Sequence, residues 1–207
     1  QPCSSAASDV YKRQEEQVIE MPCPMCHDED NLRMIAHVDE IPYFGEHTQV
    51  TVLCHSCGWR QTDFIPAEGR KPGGWTFEIE SEDDLSVRVV RSSSCTVCIP
   101  ELDLEVNPGS AATGFVTNME GLLVRFIDIV KMVSKSIGDD EPENQQILLG
   151  MLHRLQHAGR EGKVLKIELL DPHGLSQILH ERAIDRDLTQ EEIDSLPVGP
   201  DPAVFSA

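Results

Sequence analysis

Six of the seven cysteines in this 207-residue chain fall in C-x-x-C pairs, a spacing at which two thiols can share a metal ion or form a redox couple. The pairs are Cys23 with Cys26 in MPCPMCH, Cys54 with Cys57 in LCHSCGW, and Cys95 with Cys98 in SCTVCI. A tetrahedral zinc site needs four ligands that converge on one point, and two tight C-x-x-C turns supply them. The first two pairs form C-x2-C-x27-C-x2-C and therefore predict one structural zinc ion.

The residue that follows each pair bears on this prediction. Gly58 follows the second pair, as is typical of a zinc ribbon, where glycine lets the chain turn under the metal. His27 occupies the equivalent position after the first pair, where a ribbon prefers glycine. A thioredoxin-like redox couple at Cys23 and Cys26 is the alternative, but no βαβ pattern surrounds these residues.

The third pair, Cys95 and Cys98, lies in a stretch rich in β-branched residues that predicts a strand. Positions i and i+3 of a strand point to opposite faces, so the two thiols cannot share a metal ion without a bend. Buried free thiols behave as small apolar side chains. We therefore predict that this pair packs in a core.

Two histidine arrangements are weaker candidates for a metal site. His37 and Asp39 match the H-x-D of iron oxygenases built on double-stranded β-helices, but they lie between the predicted zinc ligands. His153 and His157 are one helical turn apart and lack the glutamate of H-E-x-x-H, so we expect them to face solvent. The sequence contains no G-x-S-x-G, Walker loop or dinucleotide fingerprint, and we predict that the protein is not an enzyme.

These residues must be positioned by two different units. Residues 17–65 hold the zinc pairs and two strand-like stretches, which predicts a ribbon, and a Pro/Gly-rich joint at 66–74 follows. Alternating apolar residues, among them Leu85, Val87 and Val89, then predict several strands of a second domain at 72–180. Within it, we expect Leu175–Leu179 to pair with the strand at Val164–Leu170 across a DPHG turn.

A change to helical periodicity at about 117–159 predicts a helical hairpin within the second domain. Thr117 and Glu120 have the spacing of a capping box for the first helix, and Gly138 is the expected stop. A second apolar stripe ends at Gly159. The remaining residues, 181–207, are expected to form an acidic tail.

Composition limits the partners and the location of the protein. The net charge is −19, with 36 acidic and 17 basic residues, which argues against a nucleic-acid partner and favours a basic protein or a role in solubility. No apolar run reaches the roughly 20 residues that span a bilayer, and no signal peptide is recognisable, so we predict a cytoplasmic protein. Residues 1–16 have the composition of a disordered or foreign leader.

The motifs between residues 18 and 180 resemble those of one family. In chain order they are CPMC, IPYFGE, CHSCGWR, a GG joint, DDLSVRVVRSSS, IPELDLEVNPG, TNMEGLL and DPHGLSQI. This order is similar to that of the ZPR-type zinc-finger family, in the single-copy form that is common in archaea. The IPEL motif with its following PG, and the DPxGxS turn, are much more specific than C-x-x-C.

The resemblance implies a mainly β fold with some α-helix. An N-terminal zinc ribbon would precede a double-stranded β-helix, jelly-roll-like domain that carries an inserted helical hairpin. The family's zinc ligands correspond to Cys23, Cys26, Cys54 and Cys57. The resemblance also implies a partner, translation elongation factor 1 alpha, whose folding the eukaryotic relatives assist as chaperones. The expected function is a zinc-binding protein-interaction module, and the alternative is a nucleic-acid-binding ribbon in transcription or translation.

Three aromatic residues of the ribbon are candidate partner contacts, since aromatic side chains dominate the energetics of many interfaces. They are Tyr43, Phe44 and Trp59. Packing of the ribbon onto the second domain is the alternative role for each of them. Arg91 and the run Ser92–Ser94 are expected either to line a groove or to lie on a solvated edge.

Overall fold

The computed structural model describes residues 15–41, 45–66, 71–109, 112–137 and 142–197. Tyr43, Phe44 and nearly all of the predicted leader lie outside the described residues. The described chain folds into an N-terminal four-stranded sheet and a two-sheet β domain with helices. Among these residues, no helix is both long enough and apolar enough to cross a bilayer.

The first unit is an antiparallel sheet in the order β1-β2-β3-β4. Its strands are β1 (Glu15–Val18), β2 (Leu32–Ile41), β3 (Gly45–Cys54) and β4 (Arg60–Pro66). The sheet therefore begins two residues inside the predicted leader. Leu32 is opposite Cys54 in the β2–β3 register, so the chain after the first cysteine pair enters the sheet beside the second pair.

The second unit is a jelly roll of two antiparallel sheets. The larger sheet has the order β12-β5-β10-β7-β8, and the smaller has the order β11-β6-β9. The strands are β5 (Gly73–Ile79), β6 (Arg88–Arg91), β7 (Thr96–Ile99), β8 (Leu104–Val106), β9 (Phe115–Asn118), β10 (Leu165–Asp171), β11 (Gln177–Leu179) and β12 (Ile184–Asp187).

The period-two pattern explains the central strands of the larger sheet. Leu165, Ile167 and Leu169 of β10 are buried and alternate with less buried residues, as expected for a strand with one face on the core. Phe77 and Ile79 of β5 meet the same core, which is continuous between the two sheets. This core contains most of the buried apolar side chains among the described residues.

Two of the sequence-based strand predictions are wrong in detail. The segment at Leu175–Leu179 forms β11, which pairs with β6 in the other sheet rather than with β10. β10 is central and pairs with β5 and β7 instead, so its apolar residues are matched by strands distant in sequence. The predicted alternation around Leu85 is interrupted by a 3₁₀ turn at Asp83–Ser86.

The helical insertion is present as predicted, with α1 at Met119–Ser136 and α2 at Pro142–Gln156 packed against each other. α1 buries a stripe on the jelly-roll core that includes Leu123, Phe126 and Val130. In α2, only Leu155 is fully buried. α1 therefore anchors the insertion, and α2 lies mainly over α1. The predicted stop at Gly138 lies outside the described residues.

The first residue of α1 differs from the prediction. Asn118, not Thr117, is the N-cap, and its Oδ1 accepts a hydrogen bond of 2.8 Å from the N–H of Gly121. Asn118 is also the last residue of β9, and its extended backbone is the conformation that an N-cap requires. Strand end and helix start therefore share one residue, which the capping-box spacing does not reveal.

The jelly roll also continues past the predicted boundary at 180. β12 pairs with β5 along Gly73–Thr76, and α3 (Gln190–Ser195) follows, with a capping box formed by Thr189 and Glu192. β12 is exposed throughout, with Ile184 67% exposed. It therefore lacks the apolar alternation by which a strand is recognised in a sequence.

Removal of the Asn118 cap tests this helix start. We expect Asn118→Ala to lower the free energy of unfolding by about 1 kcal/mol, since an orphan N–H of the first turn loses its acceptor. Thr117→Val removes the hydroxyl predicted from sequence but keeps the β-branched shape, and it should change stability by less than about 0.5 kcal/mol. Urea unfolding of both variants measures the difference, and a larger effect at Thr117 would contradict the assignment.

Candidate metal centre

Four thiols meet at one end of the ribbon sheet. The Sγ atoms of Cys23, Cys26, Cys54 and Cys57 all lie within 4.8 Å of one another. Cys23 Sγ is 3.7 Å from Cys57 Sγ, and Cys26 Sγ is 3.6 Å from Cys54 Sγ. These separations exclude disulfides, whose sulfur atoms lie about 2.05 Å apart. They match the roughly 3.8 Å edge of a tetrahedron with zinc–sulfur bonds of about 2.3 Å.

Two equivalent turns present these sulfur atoms. The N–H of His27 donates to the carbonyl of Cys23, and the N–H of Gly58 donates to the carbonyl of Cys54 in the same way. The residue that closes each turn has a left-handed backbone, with φ of 59° at His27 and 76° at Gly58. His27 therefore adopts the conformation that glycine adopts at the second turn, and the departure from the ribbon pattern is accommodated without changing the turn.

The backbone of the first turn favours the thiolate of Cys23. Burial acts to raise the pKa of the Cys23 thiol, but the N–H groups of Cys26 and Met25 act in the opposite direction, and the net pKa is about 7. At Cys26 the N–H of Asp28 acts to lower the pKa, but burial and the neighbouring thiols raise it to about 12. A thiolate, not a thiol, is the metal ligand. Cys23 and Cys54 are buried while Cys26 and Cys57 are exposed, so one side of the centre faces solvent.

Asp28 connects the two turns, and sequence reasoning missed it. Its carboxylate accepts the hydroxyl of Ser56, between the second pair of cysteines, at 2.7 Å. It also accepts the N–H of Asp30, and the N–H and side-chain amide of Asn31. The Ser56 and Asn31 donors hold the pKa of Asp28 at about 2. The available signal was an aspartate directly after the first turn with an asparagine three residues later, which is typical of an Asx turn.

Trp59 packs within the ribbon. It is half-buried against a small cluster that contains Ile19, Leu32 and Val52, and its carbonyl accepts the N–H of Cys54. Its indole Nε1 is buried and has no hydrogen-bond partner among the described residues. The ring therefore supports the second turn, a role different from the packing between domains that the sequence left open.

The third cysteine pair lies in the jelly roll. Cys95 is fully buried in its core and Cys98 on β7 is half-buried. Burial raises the pKa of Cys95 to about 12 and that of Cys98 to about 11, so both are thiols at neutral pH. In the described residues, neither belongs to a group of side chains that could hold a metal ion.

The histidine candidates are placed apart from the four thiols. His37 lies on β2 of the ribbon and not in the jelly roll, which removes the resemblance to an oxygenase site. His153 and His157 lie on and just after α2 with ring centroids 4.2 Å apart. His157 Nδ1 is 2.8 Å from the His153 carbonyl oxygen, and His153 Nε2 is 3.0 Å from Lys163 Nζ.

Comparison with known proteins identifies the second unit. The family model of the ZPR1 jelly-roll domain matches residues 83–196, which is more than half of the chain. The chain belongs to the ZPR1 family. The match extends to α3, in agreement with the strand β12 that the structure adds to the sheet.

Two archaeal ZPR1-like proteins are similar over most of their length. The chain is 37% identical to one from Pyrococcus horikoshii, covering 86% of this chain and 80% of the relative. It is 35% identical to one from Methanocaldococcus jannaschii, covering 89% of this chain and 92% of the relative. The zinc finger chaperone of Schizosaccharomyces pombe is 32% identical over 61% of this chain, and this chain spans 27% of that protein.

The four-thiol centre of this ZPR1-family member should be needed for folding of its ribbon. We expect Cys54→Ser or Cys57→Ser to release one zinc equivalent and unfold the ribbon, because metal-binding energy is largely the folding energy of such a unit. The jelly roll has its own core and should keep its melting transition. Zinc content and thermal unfolding monitored by circular dichroism measure both.

The third pair supplies the control for this experiment. Cys95→Ala combined with Cys98→Ala should leave the zinc content unchanged, although the lost packing of Cys95 lowers stability. Loss of one zinc equivalent in this double variant, or full zinc content in Cys54→Ser, would contradict the four-cysteine site.

Gly58 isolates the backbone requirement of the second turn. A Cβ at Gly58 would meet no atom within 4 Å, so Gly58→Ala tests the positive φ alone. We expect a loss of about 1–2 kcal/mol in ribbon stability, the cost of a left-handed alanine. Gly150→Ala in α2 also meets no atom, but it should stabilise the protein by about 0.5–1 kcal/mol. Denaturant unfolding of the zinc-loaded variants checks the opposite signs.

Proposed function

We propose that this ZPR1-family chain is a zinc-binding protein-interaction module that binds translation elongation factor 1 alpha and assists its folding. The observation that carries this proposal is a four-thiol centre in a ribbon that precedes a ZPR1 jelly-roll domain, together with a relative that is named a zinc finger chaperone. Zinc is the proposed ion, since four thiolates in a tetrahedral arrangement are typical of structural zinc. We propose no catalytic activity.

The surface of the ribbon supports a binding role. Met21 lies just before the first turn and Met25 lies within it, and they are 52% and 59% exposed. Val18 of β1 is 63% exposed. Methionine side chains are flexible and polarisable, and they adapt to irregular apolar surfaces of a partner. A metal-stiffened turn thus presents apolar residues without a large core of its own.

Charge supports a basic client. The net charge of −19 would attract a basic, nucleic-acid-binding protein and would repel nucleic acid itself. Steering of this kind acts mainly on the association rate and falls with ionic strength. The cytoplasm, where translation occurs, is the compartment that this function requires.

A refolding assay tests the proposed function. Denatured elongation factor 1 alpha is diluted into buffer with the zinc-loaded protein, with the Cys54→Ser variant, or with serum albumin, and the recovery of GTP binding is measured. Of the three additions, we expect only the zinc-loaded protein to raise the yield or the rate of refolding several-fold. Equal recovery in all three mixtures would contradict the chaperone role. Tight, salt-dependent retardation of an RNA or DNA fragment would instead favour the alternative of a nucleic-acid-binding ribbon.

The aromatic candidates Tyr43 and Phe44 provide a second test. We expect Tyr43→Ala or Phe44→Ala to weaken binding of the elongation factor at least tenfold, while zinc content and melting temperature stay near wild type. Ile184→Ala on the exposed strand β12 is the matched control and should leave affinity unchanged. Unchanged affinity in both aromatic variants would exclude them as docking residues. Trp59 is unsuitable for this test because it packs in the ribbon.

A further inference from the structure

A buried polar cluster joins the ribbon to the jelly roll. Asp63, on the last ribbon strand β4, is 0% exposed, and Ser93, in the jelly-roll loop after β6, is also 0% exposed. Asp63 Oδ1 accepts the N–H of Ser93 at 2.7 Å, and Oδ2 accepts its hydroxyl at 2.7 Å. Gln61 Nε2 donates to Oδ2 at 3.2 Å. A carboxylate of one unit is therefore held by a loop of the other.

The same loop is held from its other side by a second carboxylate. Asp171, the last residue of β10, is 1% exposed. It accepts the hydroxyl of Ser92 at 2.8 Å, that of Ser94 at 2.9 Å and that of Ser176 at 2.6 Å. The run Ser92–Ser94 thus lies between two buried carboxylates, and neither the predicted groove nor the solvated edge describes it.

A close backbone approach accompanies these contacts. The N–H of Gly114, just before β9, donates to the carbonyl of Thr62 at 2.6 Å. A Cβ at Gly114 would lie 3.1 Å from Asp63 Oδ1, 3.1 Å from the Thr62 carbonyl oxygen and 3.2 Å from that of Arg91. Glycine at this position therefore lets the two units approach closely enough to bury Asp63.

The charges in this cluster do not balance. Arg91 is 7% exposed, its Nη2 donates to the carbonyl of Cys95 at 2.7 Å, and the charges of Asp171 and Asp63 act on it. The positive charge of Arg125 on α1 repels that of Arg91, and both guanidinium groups contact the ring of Phe115. With both aspartates ionised, two buried negative charges face one buried positive charge. An excess buried charge is costly, and uptake of one proton removes it.

We propose that Asp63 is a proton-sensitive latch that docks the zinc ribbon on the jelly roll, with the docked arrangement most stable when Asp63 is protonated. The Ser93 hydroxyl suits both states, because it can donate to a carboxylate or accept from a carboxylic acid. Neither the metal nor the proposed client takes part in the contacts of the latch. It sets the position of the ribbon, and hence the relative placement of any surfaces that the two units present together.

The direction of the pH dependence follows from burial. Burial raises the pKa of Asp63 in the docked state and outweighs the hydrogen bonds from Ser93 and Gln61, which lower it. The charge of Asp171 raises it further. When the ribbon is undocked, the carboxyl is hydrated and has an ordinary pKa of about 3.9. The docked state therefore binds the proton more tightly. Protonation of Asp63 therefore stabilises the docked state fully at pH values below the undocked pKa, and this stabilisation is lost as the pH rises through the docked pKa. Between the two pKa values, the docking equilibrium constant falls by up to tenfold per pH unit.

Hydrogen exchange of the full, zinc-loaded chain tests the latch. Protection of β4 and of the loop at Ser92–Ser94 is measured by mass spectrometry from pH 5 to pH 8, after correction for the intrinsic exchange rate. We expect wild-type protection of both segments to fall several-fold across this range. Asp63→Asn, which cannot ionise, should give a flat profile. Asp128→Asn on the exposed face of α1 is the matched control and should follow wild type.

Two outcomes would overturn the proposal. One is a flat wild-type profile, and the other is an Asp128→Asn profile that is as flat as that of Asp63→Asn. Gly114→Ala separates geometry from charge, since its methyl group crowds Asp63 and the backbone of both units. It should lower protection of both segments by a similar factor at every pH and keep the wild-type slope. Zinc content and melting temperature are recorded for each variant and identify any variant that has failed to fold. In that case the pH profile of the wild-type protein still decides for or against the latch.

Discussion

The convergence of four thiols is the constraint on which the ribbon depends. Among the described residues, its apolar cluster consists of five buried side chains, two of which are cysteines of the four-thiol centre. A unit of this size buries too little apolar surface to offset the conformational entropy of its chain, and units of this kind are stabilised by metals or disulfides. Register between β2 and β3, the two left-handed turns and the Asp28 bridge all serve to bring the sulfur atoms within bonding distance of one ion.

The jelly roll is stabilised differently, by a continuous apolar core between two sheets with α1 packed against it. The helical insertion leaves the sandwich after β9 and returns at β10, so it extends the core without interrupting either sheet. The protein therefore combines a small unit built around four thiols with a larger unit built around an apolar core. The buried hydrogen bonds between Asp63 and Ser93 connect the two units.

Local chemistry explains which sequence-based predictions succeeded. The C-x-x-C spacing requires short-range turns, so the four thiols meet as expected. The apolar stripes of α1 and the alternation of β5 and β10 are also local signals, and the corresponding elements are present. The helix cap was misplaced by one residue because Asn118 ends a strand as well as starting a helix, and that double role depends on β6 beside it. The predicted partner strand of β11 was wrong because strand pairing in a jelly roll joins segments that are distant in the chain.

The sequence by itself determined the thiol set, the order of the two units and the helical insertion, since each is encoded by spacing or periodicity within a short window. Tertiary structure alone decided the roles of Asp63, Asp171 and the serine run, whose residue types are as common on solvated edges as in cores. Their burial arises because Gly114 lets β4 approach β9 and because Asp171 lies at the end of a central strand. Such contacts join residues that are about 30 to 80 positions apart in the chain, so no local sequence pattern predicts them.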